Sequence, residues 1–251
     1  MGLKKIAMIP ARLASTRFPQ KLLQQLGDQS VIATVYLAVK KTTLFDDVIV
    51  VTDSEAIYED LKKLGGNVVM SKGTHESGTD RIAEAAANMD VDVIINVQGD
   101  TPFIQQEPLE KLLQQFEDET VQVASLMQHL DDVQQIQNPN VVKVCVDKKN
   151  NALYFSRSVI PYQRDKAATV TYYKHIGVYA FRKKALLDFT TWPVSMLENA
   201  EKLEQLRYLE NGVKLRMVLT HFTSVEIDTA EDLARARALL DEMKNSKTEN
   251  E

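Results

Sequence analysis

Two hydrophobic rhythms alternate along the first hundred residues. The runs KIAMIP, DVIVVTD, NVVMS and DVIINVQGD are short, nearly all apolar and rich in β-branched residues, as strands are when both faces of a sheet are covered. Between them, SVIATVYLAVKK sets Val31, Val35, Ala38 and Val39 on one helical face. A second helix is predicted from Ser54 to near Gly65-Gly66, and a third over residues 77–89. Strand and helix in strict succession predict an α/β fold with a doubly wound, mostly parallel sheet.

After Asp100 the rhythm changes. A helix with Pro108 in its first turn sets Leu109, Leu112, Leu113 and Phe116 inward. The stretches VQVASLMQH, NVVKVCVD, NALYFSR and YYKHIGVYAF read as strands, and VCVD and ALYF as the arms of a hairpin, so a mixed sheet extension is expected. One long helix over residues 196–211, a strand VKLRMVL and a helix from Thr229 finish the pattern. No repeat or low-complexity linker interrupts it. The reading is one domain over residues 1–243 and a polar, frayed tail over 244–251.

The chain has 251 residues, 44% hydrophobic and 26% charged, as in an ordinary globular enzyme. Its pI near 5.5 argues against general binding to nucleic acid or anionic membrane. No apolar run reaches the length of a membrane span, and MGLKKIAMIP lacks the pattern of a signal peptide, so a cytoplasmic location is expected. The single cysteine, Cys145, allows neither an internal disulfide nor a cysteine zinc cluster and is expected to pack in a strand.

Charge is unevenly spread. The net charge is −5, yet residues 1–27 carry Lys4, Lys5, Arg12, Arg17 and Lys21 and no acid, which leaves −10 for the rest. In open α/β sheets ligands bind beyond the carboxyl ends of strands. At the first such end Pro10 leads into Ala11, Ala14, Ser15 and Thr16, interleaved with Arg12, Arg17 and Lys21. Small residues let backbone N–H groups approach an anion that the cations neutralise. The glycines of a Walker loop are missing. Two further strand ends carry carboxylates, Asp100 in NVQGDTP and Asp228 in EIDTAEDL. Each suits either Mg²⁺ bound together with phosphate oxygens or the cap of a following helix, a role Thr229 could equally take. Together with the cationic loop they suggest a metal–nucleotide site.

The blocks IPARLASTRFPQK, HESGTDR, NVQGDTPFI, NPNVVKV, ALYFSRSVIP, YYKHIGVYAF, LENAEKLEQLR and IDTAEDL occur in this order between residues 9 and 233. In that order they resemble the 3-deoxy-manno-octulosonate (KDO) cytidylyltransferases, whose fold is that of the nucleotide-diphospho-sugar transferases. The opening block is shared by many sugar nucleotidyltransferases, while the segments around ALYFSRSVIP, KHIGVY and LEQLR are more specific. The resemblance implies transfer of CMP from CTP to the anomeric hydroxyl of KDO, with pyrophosphate released, for lipopolysaccharide biosynthesis. It implies that Arg12 and Lys21 bind the triphosphate next to Pro10 and Ala11, and that Asp100 and Asp228 bind Mg²⁺. These four charged residues are the implied catalytic set. Ser77, Gly78 and Thr79 would read the cytosine edge. Gln98, Arg157, Arg164, His175, Glu204 and Gln205 would meet the acid sugar, the arginines facing its carboxylate. A homodimer is implied as well.

Three positions depart from the family pattern. Thr101 stands where Gly-Asp-Glu-Pro usually has its glutamate, Glu226 where a glycine is usual before Asp228, and Gln20 where a glycine commonly precedes Lys21. These leave KDO and an amino-substituted KDO both open. The rivals are a cytidylyltransferase for another acid sugar such as a sialic acid, a catalytically silent nucleotide-binding protein, and a metal-dependent glycosyltransferase.

Overall fold

The computed structural model describes residues 2–14, 17–75, 77–222 and 225–248. Ser15 and Thr16 of the opening loop, and 249–251 of the expected tail, lie outside the described residues. The chain begins with strand β1 (Lys5–Ala11), a hairpin of short strands β2 (Gln25–Leu26) and β3 (Gln29–Ser30), and helix α1 (Val31–Lys41). Strand β4 (Asp47–Thr52), helix α2 (Glu55–Lys63), strand β5 (Val68–Met70), helix α3 (Gly78–Ala86) and strand β6 (Val93–Asn96) follow. Next come α4 (Gln106–Gln114), β7 (Val123–His129), α5 (Val133–Gln137), β8 (Lys143–Val146), β9 (Ala152–Ser156) and β10 (Tyr173–Arg182). Helices α6 (Lys183–Thr191), α7 (Met196–Glu201) and α8 (Gln205–Glu210), strand β11 (Leu215–Leu219) and helix α9 (Ala230–Thr248) complete the order.

These elements form two compact units, one of Met1–Val91, Asn96–Gln106 and Thr223–Glu251, the other of Asp92–Ile95 and Glu107–Phe222. In the first unit β1, β4 and β5 pair in parallel. Both β1 and β4 are buried at nearly every position, so both faces are covered, which explains their unbroken apolar sequence. Each helix following a strand here starts on a serine: Ser30, Ser54 and Ser77 accept backbone N–H groups of α1, α2 and α3 and satisfy donors the helix cannot.

The second unit is mixed, as the sequence suggests. Strand β7 pairs in parallel with β11 and antiparallel with β10, while β8 pairs antiparallel with β10 and with β9 as the expected hairpin. The helix expected over 196–211 is instead two short helices. Lys202 turns left-handed at φ 54°, closing α7, and the chain restarts as α8 at Gln205. The tail expected from residue 244 departs too, because α9 continues to Thr248. No glycine or proline between 230 and 248 stops it. Among the described residues no helix is long and apolar enough to cross a membrane.

A bidentate ion pair ties α7 to α8. Arg207 donates through Nε and Nη2 to the two Glu198 carboxylate oxygens at 2.7 and 2.5 Å, and its guanidinium lies 4.0 Å from the Phe189 ring centre. Both side chains are only 8% exposed. Arg207→Met should therefore leave Glu198 buried and unpaired, at a cost of about 3–5 kcal/mol. Urea denaturation would register the loss, and adding Glu198→Leu should restore much of it.

Candidate active site

Three chain segments meet at the end of β1 because two glycines let them. A Cβ at Gly78 would stand 3.0 Å from Pro10 Cγ, and one at Gly99 would stand 3.2 Å from the Pro10 carbonyl oxygen. Gly78 thus brings the Ser77–Thr79 turn, and Gly99 the Gln98–Asp100 turn, against Pro10 and Ala11. Ser77 serves its helix as well, accepting the Asp80 N–H at 3.1 Å. Arg81, one turn further on, is buried and donates to Asp53 and to Ser71, each at 2.6 Å, so it pins α3 to the ends of β4 and β5. Sequence reading passes over Arg81. Its signal is an arginine on the inward face of an amphipathic helix, between Ile82 and the capping turn.

The two strand-end aspartates are held together through backbone and side chain. The Ile227 N–H donates to the Asp100 carbonyl at 3.0 Å, which sets Asp228 beside Asp100 although 128 positions separate them. Thr229, not Asp228, caps α9. Its Oγ1 accepts the Asp232 N–H at 3.2 Å, while Asp232 accepts the Asp228 and Thr229 N–H groups. Freed from capping, the Asp228 carboxylate meets Lys21. The Lys21 ammonium lies 2.6 Å from Asp100 Oδ2 and 2.8 Å from Asp228 Oδ1, and Arg17 reaches Asp228 Oδ2 at 2.9 Å. Burial works against the charge on Lys21, but the two carboxylates outweigh it and raise its pKa. Lys21 opens a single helical turn entered through Gln20 at φ 56°, the left-handed region that suits glycine. A side chain there costs about 1 kcal/mol. Arg12 is exposed and has no ion-pair partner among the described residues.

Asp100 and Asp228 fit a hard divalent ion. Two carboxylate oxygens from different segments already converge on one cation, and Mg²⁺ commonly takes one or two carboxylates with the remaining positions filled by water and phosphate oxygens. Among the described residues no set of three acidic or histidine side chains encloses such an ion, so the phosphates would have to complete the shell. Thr101 is buried and its N–H closes the turn on the Gln98 carbonyl at 3.3 Å. Gln98 is half-buried and Glu226 exposed.

The sugar-side candidates lie in the second unit. Arg157 donates Nε to the Glu201 carbonyl at 2.8 Å and Nη1 to the Pro139 carbonyl at 3.1 Å, and Glu201 accepts its backbone N–H at 3.0 Å. Lys143, fully buried, donates to the carbonyls of Arg157, Val141 and Asn138 at 2.6, 2.6 and 3.0 Å. Arg164 is exposed. Glu204 sits in the break before α8, and Gln205 opens the helix, only 5% exposed, its Nε2 with no hydrogen-bond partner. His175 is buried in β10, 3.1 Å from Ser125 Oγ and beside the rings of Phe155 and Tyr179. No hydrogen bond links Arg157, Arg164 and His175 to one another. Glu204 is tied to this region by charge: burial first, then the Glu204 carboxylate, pushes the Tyr179 hydroxyl pKa well up. Cys145 is half-buried in β8, and burial raises its thiol pKa.

A cytidylyltransferase family model matches residues 6–215. The 3-deoxy-manno-octulosonate cytidylyltransferase of Flavobacterium johnsoniae is 57% identical over 95% of this chain and 99% of its own length. That of Christiangramia forsetii is 55% identical over 94% and 96%. A solved CMP:2-keto-3-deoxy-manno-octonic acid synthetase complexed with CTP superposes with a TM-score of 0.91 at 36% identity, covering 96% of this chain and 99% of that one. The 4-diphosphocytidyl-2C-methyl-D-erythritol synthase of Anaerococcus prevotii, at 18% identity and TM-score 0.62, shares the α/β fold.

Burial, then the Lys174 charge, lowers the pKa of His175 from 6.5 to about 3. The Ser125 hydroxyl donates to the Val178 carbonyl at 2.9 Å and so accepts from a neutral, Nε2-protonated ring. As pH falls through 6.5 the unfolded chain takes a proton that the folded chain refuses down to about 3, so folding loses stability across that window. Unfolding free energies from urea titrations between about pH 7 and about pH 5 should fall faster for the wild type than for His175→Gln, by up to about 1.4 kcal/mol per pH unit.

Proposed function

The chain belongs to the 3-deoxy-manno-octulosonate cytidylyltransferase family, and from that premise we propose how its residues share the work. The reaction transfers CMP from CTP to the anomeric hydroxyl of KDO, for lipopolysaccharide biosynthesis. The hydroxyl oxygen bonds to the α-phosphorus, the bond from that phosphorus to the bridging oxygen of the β-phosphate breaks, pyrophosphate leaves and the hydroxyl proton passes to solvent water. The convergence of Asp100 and Asp228 on Lys21 is the observation that carries the assignment of roles.

Pro10, Ala11 and the Ser77–Thr79 turn hold the nucleoside, with cytosine read at Ser77, Gly78 and Thr79. Arg12 and Lys21 take the triphosphate, and their charge stabilises the pyrophosphate as it departs. Asp100 and Asp228 hold Mg²⁺. When bound, this ion neutralises charge on the α-phosphate and eases ionisation of the attacking hydroxyl. Arg157 and Arg164 meet the sugar carboxylate, while Gln98, Glu204 and Gln205 hydrogen-bond its hydroxyls. The unpartnered Gln205 amide supports that role, since a buried donor without an acceptor is costly until a ligand supplies one. His175, neutral and buried, shapes this region without bearing charge. We further read the protein as a cytoplasmic homodimer.

Purified protein with CTP, Mg²⁺ and KDO should release pyrophosphate, and Asp100→Asn should lower kcat/KM by at least about 100-fold. Parallel assays with 8-amino-KDO and a sialic acid measure specificity. Release with the amino sugar alone would keep the chemistry and tie Thr101 to substrate choice, whereas silence with all three sugars would overturn the activity.

A further inference from the structure

The Lys21 ammonium occupies the point that a metal ion on Asp100 and Asp228 would need. It lies 2.6 and 2.8 Å from one oxygen of each carboxylate, and all three side chains are mostly enclosed, at 15%, 24% and 30% exposure. A divalent ion bound to the same oxygens at about 2.0–2.1 Å would have to stand against a positive nitrogen in partial shelter from water. Steric exclusion and like-charge repulsion both oppose it. Arg17 adds a further positive charge on Asp228.

We propose that Lys21 is a built-in counter-ion that keeps the aspartate pair closed to free divalent metal until the triphosphate draws the ammonium away, so that nucleotide and metal enter as a unit. This rests on the reading that Asp100 and Asp228 hold the ion. Three features make the exchange workable. A lysine carries a compact charge on a flexible four-carbon stem and can swing between partners without a fixed geometry. Its present partners and the incoming phosphates are both anionic oxygens, so moving between them conserves charge-assisted hydrogen bonds. The departing ammonium uncovers two carboxylate oxygens as the phosphates arrive to complete the metal shell. Metal bound to the bare protein would otherwise hold the carboxylates in a form that no nucleotide had selected. The coupling also runs both ways, since the factor by which bound nucleotide raises metal affinity is the factor by which bound metal raises nucleotide affinity.

The test uses Mn²⁺ alone, without nucleotide, titrated into the full chain while the electron paramagnetic resonance signal of free Mn²⁺ is followed. Lys21→Met should bind Mn²⁺ about tenfold or more tightly than the wild type, and Asp100→Asn added to it should erase the gain. Lys21→Gln, which keeps a polar side chain, repeats the measurement should the methionine variant fail to fold. Equal or weaker Mn²⁺ binding by the folded Lys21 variant would overturn the proposal. So would a gain that survives Asp100→Asn, because the ion would then be bound elsewhere. Pyrophosphate release by the wild type judges the activity separately: a protein that turns over normally but shows no gain on losing Lys21 keeps its function and loses this device.

Discussion

The first unit is organised around a charge that burial opposes. Lys21, from a loop just beyond the first strand, is drawn into partial shelter and stays protonated because Asp100 and Asp228 meet it there. The backbone bond from Ile227 to Asp100 aligns the two carboxylates, so the site depends on one peptide hydrogen bond as much as on the charges. The glycines at 78 and 99 bring the other two turns to the same place by offering no side chain where Pro10 stands. Electrostatics alone would not specify this geometry. The carboxylates converge because backbone hydrogen bonding, close packing and helix capping each fix one of the segments that carry them.

Much of this was legible in the sequence because each unit follows local rules. Unbroken β-branched runs gave β1, β4, β5 and β6, and the serines at 30, 54 and 77 marked helix starts. The acid-free opening stretch pointed to an anion site, and the ordered family blocks named its chemistry. What escaped depended on contacts between distant residues. The spacing of Thr229 and Asp232 is a local signal for Thr229 as the cap of α9; what no local pattern carries is that the Asp228 carboxylate goes to Lys21, 207 positions away. The apolar spacing of Leu203, Leu206 and Leu209 is continuous with one long helix, and only the left-handed Lys202 shows the break. Helices α5 and α6 were also missed. The first buries no residue, and the second starts directly from β10 without a side-chain cap.

The second unit shows how one sequence block can serve both framework and chemistry. Glu201 accepts from Ser156 and from the Arg157 backbone, while its own carbonyl accepts from the Arg157 guanidinium. Most of what fixes Arg157 is therefore main chain, and the residue has a defined position before any ligand is considered. His175 contributes in the opposite way. Being buried and neutral, it adds shape and one hydrogen bond to Ser125. A histidine in a site is often assumed to move protons, but this one sits in surroundings that withhold its charge.

Lys143 is the feature whose consequence reaches furthest beyond its own strand. Its ammonium donates to three carbonyls, those of Asn138, Val141 and Arg157, in the way an ionophore surrounds an alkali cation with oxygen dipoles. The loop before β8 and the turn after β9 are thus wrapped around a covalently tethered ion. They cannot separate without stripping that ion of its coordination, and an uncharged replacement would leave three dipoles facing an empty centre. An ordinary side chain here does the work of a structural metal, in a form that no chelator can remove.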